Sequence, residues 1–315
     1  MTPAFLPDWF GLQNLHLAQF AAQSANRNVQ GRPVLTIVIP CNNEEICIQE
    51  CLRAFVEQRD LPKDHKMQVI VAANGCTDQT VPIAQAMAQQ LAATGYDLLV
   101  LDLPVGNKIN ALNEAEAQAT YSCRAFVDAD VVLGPRILIE LAKILWQDAP
   151  VYASGKVHIP QAKSYVSRAY AKVWKQLSFF SEGVPGIGLY AVNETGRARW
   201  GAFPDIIADD RFVRLQFAPH ERQKTDASYD WPLPEGYENL VHVRHRWSKG
   251  NVELADRFPN LMENDSEINK SFNSVLRMLR TPFSAVIFVL VYLASKRRAD
   301  RIDDGDSRVW QRGRD

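Results

Sequence analysis

The sequence predicts an α/β fold with a mostly parallel central sheet and helices on both of its faces. Between residues 34 and 146, β-branched apolar runs alternate with segments of helical periodicity, which is typical of repeated strand–helix units. The chain has 315 residues, of which 47% are hydrophobic and 23% charged, so it can bury a substantial core. Its formal net charge of −1 lacks the basic excess of nucleic-acid-binding proteins, and no nucleic-acid partner is expected.

Four strands are predicted in the first half of the chain, and each is followed by a helix. Continuous apolar runs are expected where both faces of a sheet are covered, and here they span 34–39, 68–72, 98–103 and 124–127. The helices repeat apolar residues three and four positions apart, and Pro135 suits the first turn of the last helix. They span 44–58, 81–93, 108–119 and 135–146.

Right-handed crossovers place every strand-to-helix loop at the same edge of such a sheet, which is where ligands bind. The loops at 41–44, 74–78, 103–108 and 128–130 are therefore expected to line one cleft. This expectation directs attention to the polar side chains of these four loops.

The second half of the chain departs from this alternation. It contains a predicted helix over 164–180, a glycine- and proline-rich loop over 183–188, a strand over 189–192, and helices over 209–217 and 239–253. The glycine loop is interrupted by Pro185 and does not follow the first strand, so it is not a dinucleotide-binding motif. A tight loop pressed against a ligand is the better functional interpretation.

Two acidic pairs are candidates for chemistry. Asp128 and Asp130 alternate at the end of a strand, where both can reach one divalent cation and the diphosphate that it holds. The alternative is a strand-end turn that caps the next helix. Asp209 and Asp210 are neighbours, and a like charge raises the pKa of one of them, which suits a general base. The alternative there is a solvated acidic helix start.

Amide and carboxylate side chains end the first two strands. Asn74 and Asp78 can hydrogen-bond a base or a ribose, or they can form a turn that caps the next helix. After Pro40, the residues Asn43 and Glu44 equally suit the N-terminus of a helix.

Three basic residues are candidate phosphate contacts. Lys108 opens a predicted helix, where it can hold a phosphate although the segment lacks P-loop spacing. A solvated lysine is the alternative. Arg246 and Lys249 are three residues apart on one helix face and suit a diphosphate. A basic surface helix is the alternative for this pair.

No single motif decides between these interpretations, but their order is informative. Seven motifs follow one another between residues 34 and 253: Val-Ile-Pro-X-X-Asn-Glu-Glu, Ala-Asn-Gly-Cys-Thr-Asp, Gly-Asn-Lys-X-X-Ala-X-Asn, Val-Asp-Ala-Asp, Gly-Ile-Gly-Leu-Tyr, Asp-Asp and Arg-X-Arg-Trp-X-Lys-Gly. This series resembles the family 2 glycosyltransferases, whose nucleotide-binding fold is called GT-A. The resemblance implies a GT-A catalytic domain over 34–253, an N-terminal helical extension over 1–33 and a C-terminal helical segment over 254–315.

The resemblance also implies roles for individual residues. Those implied to hold the nucleoside are Pro40, Asn43, Glu44, Asn74 and Asp78. Asp128 and Asp130 are implied to hold the metal and the donor, and Asp210 is the implied catalytic base. Two positions depart from the family pattern: Val243 replaces the glutamine of processive members, and Asn42 replaces an aromatic residue that often stacks on the base.

The implied function is the inverting transfer of a sugar from a UDP- or GDP-sugar to an acceptor hydroxyl, with Mg²⁺ or Mn²⁺ as cofactor. The acceptor is expected to be a carbohydrate or a lipid-linked molecule in polysaccharide or glycolipid synthesis. The alternative from another class is a non-catalytic nucleotide-sugar-binding subunit of a polysaccharide assembly complex. A sugar nucleotidyltransferase is disfavoured because no glycine-rich basic loop follows the first strand.

An apolar run over 282–294 is flanked by cationic residues, including Lys296, Arg297 and Arg298. The run is shorter than the roughly 20 residues that a helix needs to span a bilayer. Together with the resemblance, this pattern favours membrane-surface contact through residues 282–298, with core packing or a dimer contact as the alternative. An odd number of cysteines, five, and the lack of a signal-peptide pattern favour a cytoplasmic location, at the cytoplasmic face of the membrane.

Overall fold

A computed structural model describes residues 34–177, 180, 183–265 and 281–299. The predicted N-terminal extension over 1–33 and parts of the predicted C-terminal segment lie outside the described residues. The described strands are β1 (Val34–Cys41), β2 (Lys66–Asn74), β3 (Tyr96–Leu103), β4 (Arg124–Val127), β5 (Val132–Leu133), β6 (Tyr152–His158), β7 (Leu189–Val192) and β8 (Arg222–Asp230).

Helices connect these strands and follow the last of them. They are α1 (Ile48–Val56), α2 (Thr80–Ala86), α3 (Ala88–Ala93), α4 (Lys108–Ala117), α5 (Ile137–Leu145), α6 (Tyr165–Trp174), α7 (Glu194–Arg197), α8 (Asp209–Leu215), α9 (Tyr237–Arg257) and α10 (Pro282–Ala299). Short 3₁₀ segments span Pro219–Glu221 and Pro259–Asn264.

The eight strands form one mixed sheet in the order β3-β2-β1-β4-β7-β6-β8-β5. The first four in this order are mutually parallel, and so are β6 and β8. β7 runs antiparallel to β4 and β6, and β5 runs antiparallel to β8. The predicted α/β fold with a mostly parallel sheet is therefore confirmed, and the carboxyl ends of β1, β2 and β4 lie at one edge.

Alternate residues of the central strands enter two cores, one on each face of the sheet. Leu35, Ile37 and Ile39 of β1 belong to the core that also contains α1. Val38 belongs to the other core, with Leu112 of α4. Since strand side chains alternate between faces, burial on both sides explains why β1 reads as a continuous apolar run.

The structure differs from the predicted elements at several boundaries. The helix predicted from residue 44 begins only at Ile48, because the preceding residues form the loop after β1. The helix predicted over 81–93 is divided at Met87 into α2 and α3. β6 and β8 were not expected from the sequence. β8 contains mostly polar side chains, so it lacks the apolar alternation that identifies a strand.

The last described helix, α10, packs one face against α6 and α9. Phe288 stacks on Tyr170 with ring centroids 5.0 Å apart, and Val291 is fully buried. Arg244 of α9 lies 5.2 Å from the Phe288 ring centroid and 4.8 Å from that of Tyr292. Within the described ranges, no helix is both long enough and apolar enough to cross a membrane.

Candidate active site

The loop after β4 is held in place by the glycine-rich loop. The Asp128 N–H donates to the Gly188 carbonyl at 2.9 Å. Gly188 has φ +70°, and a Cβ there would lie 2.5 Å from Trp231 and 2.8 Å from Val131, so only glycine allows this approach. The loop therefore packs tightly beside Asp128, and its predicted contact with a ligand stays a prediction.

Lys108 connects two carboxylates that are far apart in sequence. Its Nζ lies 3.3 Å from Asp128 Oδ1 and 3.2 Å from Asp209 Oδ2. Asn107 caps the start of α4 by accepting from the Asn110 N–H at 2.9 Å, which fixes the first turn beneath the lysine. Burial opposes the charge on Lys108, but the neighbouring carboxylates outweigh this and raise its pKa. Lys108 is thus not a solvated lysine.

Asp209 and Asp210 form the first turn of α8. Asp209 is almost fully buried and pairs with Lys108, whereas Asp210 accepts a hydrogen bond from the Arg211 N–H at 2.7 Å. Burial and the adjacent charge of Asp209 raise the pKa of Asp210 to about 6. Burial also raises the pKa of Asp209, although Lys108 opposes the shift. The predicted like-charge effect is therefore present, and burial is the larger cause.

The loops after β1 and β2 are bound to each other through side-chain oxygens. Asn43, which has φ +53°, accepts from the Thr77 N–H at 2.8 Å. Asp78 accepts from the Glu45 N–H at 3.1 Å and from the Thr80 N–H at 2.9 Å. Asp78 thus forms the predicted turn before α2. Asn43 does not cap a helix, because α1 begins after Cys47 without a side-chain cap, and it accepts from the facing loop instead. Neither arrangement excludes a ligand contact.

The amides of Asn42 and Asn74 continue this connection. Asn74 is fully buried, and its Nδ2 donates to the Cys41 carbonyl at 2.7 Å. Its Oδ1 has no hydrogen-bond partner among the described residues. Asn42 Nδ2 donates to the carbonyls of Asn74 and Gly75. Asn42 therefore stabilises the loop rather than offering a stacking surface.

A third loop joins the first two through a close backbone approach. Gly75 has φ +59°, and a Cβ there would lie 2.6 Å from the backbone nitrogen of Gly106. The loops after β1, β2 and β3 therefore lie side by side, as predicted from the topology.

One pocket at the carboxyl ends of β1 and β4 brings together Lys108, Asp128, Asp209 and Asp210, whereas Asp130 is not among its described lining residues. The pocket is lined by Pro40, Lys108, Leu112, Phe126, Val127, Asp128, Gly188, Tyr190, Asp209 and Asp210. Tyr190 was missed from the sequence because it lies in a short apolar strand, where the pattern indicates only burial. The feature that could have identified Tyr190 as a site residue is its position two residues after Gly188, on the strand that pairs with β4.

Arg246 and Lys249 lie on α9 and are not among the described residues that line this pocket. Lys249 is exposed and Arg246 is half-buried. One turn after Arg246, Gly250 packs against Ala208, where an added Cβ would lie 3.0 Å from the alanine side chain. This part of α9 therefore lies next to the residue that precedes the acidic pair.

The acidic side chains fit a divalent cation that is bound together with a substrate. Asp128 and Asp130 offer the carboxylate oxygens that Mg²⁺ and Mn²⁺ prefer. In the described parts of the chain, no group of three or more His, Cys, Asp or Glu side chains is arranged to hold a metal. Mg²⁺-type sites commonly use one or two carboxylates and complete their coordination with phosphate oxygens and water. Two carboxylates are thus sufficient for this kind of site.

Comparison with known proteins identifies related sequences and folds. Residues 36–200, more than half of the chain, match the model of a family described as glycosyl transferase family 2. The probable glycosyltransferase YdaM of Bacillus subtilis (strain 168) is 24% identical over 254 residues, which cover 73% of this chain and 58% of that protein. The chain thus spans a little over half the length of this curated relative.

Solved structures also resemble the fold. A mannosyltransferase, PcManGT from Pyrobaculum calidifontis in complex with GDP-Man and Mn²⁺, superposes with a TM-score of 0.54 at 19% identity, over 92% of this chain and 87% of that chain. S. aureus TarS 1–349 in complex with UDP-GlcNAc gives a TM-score of 0.46 at 14% identity, over 86% of this chain and 93% of that one.

Proposed function

The chain belongs to glycosyl transferase family 2 and is thereby a transferase, and on that premise we propose that it moves a sugar from a nucleotide diphosphate sugar to an acceptor hydroxyl with inversion at the anomeric carbon. The observation that carries this proposal is Asp210, a carboxylate with a raised pKa that shares one pocket with Asp128 and Lys108. A base with this proton affinity, beside residues suited to hold a diphosphate, fits an acceptor-activated displacement.

Asp210 is assigned as the general base. A pKa near 6 leaves its carboxylate largely ionised at neutral pH, while it binds a proton more strongly than a solvated aspartate does. It takes the proton of the acceptor hydroxyl as that oxygen attacks the anomeric carbon, from the face opposite the leaving diphosphate. Base catalysis of this kind contributes about 10² to 10⁴ in rate.

Asp128 and Asp130 are assigned to a Mg²⁺ or Mn²⁺ ion. Such an ion, when bound by these two carboxylates, would supply positive charge that stabilises a leaving diphosphate. Lys108 holds Asp128 and Asp209 in place through its two ion pairs. The donor is a UDP- or GDP-sugar, and PcManGT, which resembles this fold, was solved with GDP-Man and Mn²⁺.

The nucleoside is assigned to the loops after β1 and β2, with contacts from Pro40, Asn43, Glu44, Asn74 and Asp78. Support comes from the position of Asn74 at the end of β2, where its Nδ2 donates to the Cys41 carbonyl and joins the two loops. Asn43 and Asp78 hold the two loops together and so shape the surface that the nucleoside contacts.

Arg246 and Lys249 are assigned to the diphosphate. Their support is the contact between Gly250 and Ala208, which brings this part of α9 beside the acidic pair. The arginine fork suits two phosphate oxygens. The catalytic unit over 34–253, the extension over 1–33 and the segment over 254–315 remain our proposed division of the chain.

The test is Asp210→Asn, assayed for sugar transfer and donor hydrolysis with Mn²⁺ and a panel of UDP- and GDP-sugars. We expect kcat to fall by about 10² to 10⁴ with donor affinity unchanged. Asp226→Asn, at a fully exposed carboxylate on β8, is the matched control. Near wild-type transfer by the Asp210 variant would contradict the assignment. Donor binding by the wild type without any turnover would instead favour the non-catalytic nucleotide-sugar-binding subunit.

We further propose that α10 contacts the surface of an anionic membrane, which would place the enzyme at the cytoplasmic face with a carbohydrate or lipid-linked acceptor. Large apolar side chains three or four residues apart leave one side of the helix exposed: Phe283 by 80%, Val286 by 58%, Leu290 by 52% and Leu293 by 44%. The exposed Lys296 and Arg297 follow this apolar stripe. An apolar stripe beside cations suits the headgroup region of a bilayer.

Vesicle flotation tests the membrane contact. The double variant Val286→Glu/Leu290→Glu is expected to lose binding to vesicles that contain phosphatidylglycerol, while the wild type binds them more strongly than neutral vesicles. Val252→Glu, at an apolar residue on α9 that is 60% exposed, is the matched control and should bind as the wild type does. Equal binding by the wild type and the double variant would contradict the proposal.

A further inference from the structure

One residue that lines the pocket, Tyr190, has a buried polar group to which the proposed mechanism assigns no role. The side chain is only 4% exposed, and it lines the pocket together with Asp128, Asp209 and Asp210. Its hydroxyl oxygen is buried and has no hydrogen-bond partner among the residues that the structure describes. A buried hydroxyl without a partner is costly, so its presence at a ligand pocket points to a ligand that completes it.

The position of this hydroxyl is fixed by the packing of its ring. Tyr190 lies on β7, in register with Phe126 on β4. The two rings stack with centroids 4.8 Å apart and an angle of 23° between their planes. The Tyr190 ring also stacks on Tyr152, with centroids 5.8 Å apart and an angle of 12° between the ring planes. Because the ring is held by both neighbours, the hydroxyl cannot turn away to find another partner.

Burial alone does not leave a tyrosine hydroxyl without a partner in the described part of this fold. Tyr229 is equally buried, and its hydroxyl donates to the Ile187 carbonyl at 2.6 Å. Tyr96 and Tyr152 also lack hydroxyl partners among the described residues, but neither lines the pocket. The Tyr152 hydroxyl instead lies against Gly186, where an added Cβ would be 1.7 Å away.

The surroundings of Tyr190 make it a hydrogen-bond donor. Burial, the charge of Asp209 and the adjacent Tyr152 raise the pKa of the Tyr190 hydroxyl, and so do Asp210 and Asp128. The phenol therefore stays protonated and offers its hydrogen to a neutral oxygen, which suits a sugar hydroxyl.

We propose that the Tyr190 hydroxyl donates a hydrogen bond to a ring hydroxyl of the transferred sugar. This inference rests on the proposed function, which assigns Asp128 to the metal and diphosphate and Asp210 to the acceptor hydroxyl. The transferred sugar is bonded to the diphosphate, and its anomeric carbon must meet the acceptor oxygen. It therefore occupies the space between these two aspartates, and Tyr190 lines that space. The residue thus contributes to the choice of donor sugar.

The test compares sugar nucleotides with their parent nucleotides in direct binding measurements with Mn²⁺. Dissociation constants of UDP-GlcNAc against UDP, and of GDP-mannose against GDP, are measured for the wild type and for Tyr190→Phe. The ratio of the two constants isolates the contribution of the sugar. With the donor that the wild type prefers, we expect Tyr190→Phe to weaken sugar-nucleotide binding by about three- to tenfold and to leave nucleotide binding unchanged. A donor analogue deoxygenated at the contacted hydroxyl should bind both proteins equally.

Tyr152→Phe is the matched control. It removes a second buried and unpaired hydroxyl from the same aromatic stack, outside the pocket, and it should leave the sugar contribution unchanged. An equal effect of both variants, or an equal loss for sugar nucleotide and nucleotide, would assign the effect to packing and overturn the inference. An unchanged ratio in Tyr190→Phe would overturn it as well. If the wild type bound none of these nucleotides, the proposed function itself would fail.

Discussion

The two sides of the cleft use polar side chains in opposite ways. On the side of β1 and β2, Asn43 and Asp78 accept hydrogen bonds from the facing loop, so their side-chain oxygen atoms are satisfied within the protein. On the side of β4 and α8, Lys108 is shared by Asp128 and Asp209, and burial keeps the pKa of Asp210 raised. The first side is held by hydrogen bonds between its loops, with Asn74 Oδ1 as an exception among the described residues, whereas the second has an excess of negative charge.

This difference indicates that the side of β1 and β2 contributes to stability, whereas the side of β4 and α8 is suited to chemistry. Satisfied hydrogen bonds across loops lower the free energy of the folded state. Crowded, buried carboxylates raise it, and a proton or a bound cation relieves that cost. Substitutions that remove a polar group are therefore expected to destabilise the fold on the first side and to stabilise it on the second. Lys108 is the exception on the second side, because it compensates the negative charge.

The largest effect is expected at Lys108. Lys108→Met leaves Asp128 and Asp209 without their shared cation, and unfolding in urea at pH 7.5 should show a loss of about 2–4 kcal/mol. The loss should shrink at pH 4.5, where the carboxylates take up protons, and Lys108→Arg should recover part of it. Equal stability of Lys108→Met and the wild type at pH 7.5 would mean that the ion pairs do not hold the pocket together.

A smaller effect of opposite sign is expected at Asp210. The pKa of this carboxyl is about 6 in the folded protein against an ordinary value of 3.8, so between these values the folded state binds more protons and its stability falls as the pH rises. Asp210→Asn removes this cost and should be about 1–2 kcal/mol more stable than the wild type at pH 7.5. The gain should disappear by pH 3.5. A variant that is less stable at pH 7.5 would contradict the assigned electrostatic cost.

The smallest effect is expected at Asp78, on the satisfied side. Asp78→Ala removes the oxygen atoms that accept from Glu45 and Thr80, and it should destabilise the fold by about 1 kcal/mol. Because the reacting groups are untouched, KM for the donor should rise by a few fold with kcat retained. Asp102→Ala, at an exposed aspartate on β3, serves as the control. A loss confined to kcat would place Asp78 with the reacting groups instead.

The sequence was sufficient to predict the sheet edge that forms the site. Continuous apolar strands and right-handed crossovers bring the loops after β1, β2, β3 and β4 together, and that expectation depends only on chain chirality and periodicity. It could not decide whether Asn43 and Asp78 cap loops or contact a ligand, since the same oxygen atoms suit both roles.

The contacts that were not predicted join distant parts of the chain. Lys108 meets Asp209 only because α8 packs beside the start of α4, and no local pattern encodes that arrangement. The position of Tyr190 at the pocket also depends on a distant part of the chain, since the antiparallel pairing of β7 with β4 places it there. The strand β8 was not predicted for a different reason: its sequence is mostly polar, and hydropathy alone does not distinguish a polar strand from a loop.

The 21-residue helix α9 contacts both α10 and the residues beside the acidic pair. Arg244 lies against the rings of α10, and Gly250 lies against Ala208, about 9 Å further along the helix axis. With α10 resting on a membrane as proposed, a single rigid element sets the height of the reacting carboxylates above the lipid. On that proposal an acceptor would react only if its hydroxyl stands at that height, and acceptors would be selected by the length of the stem between lipid and hydroxyl as well as by their chemistry.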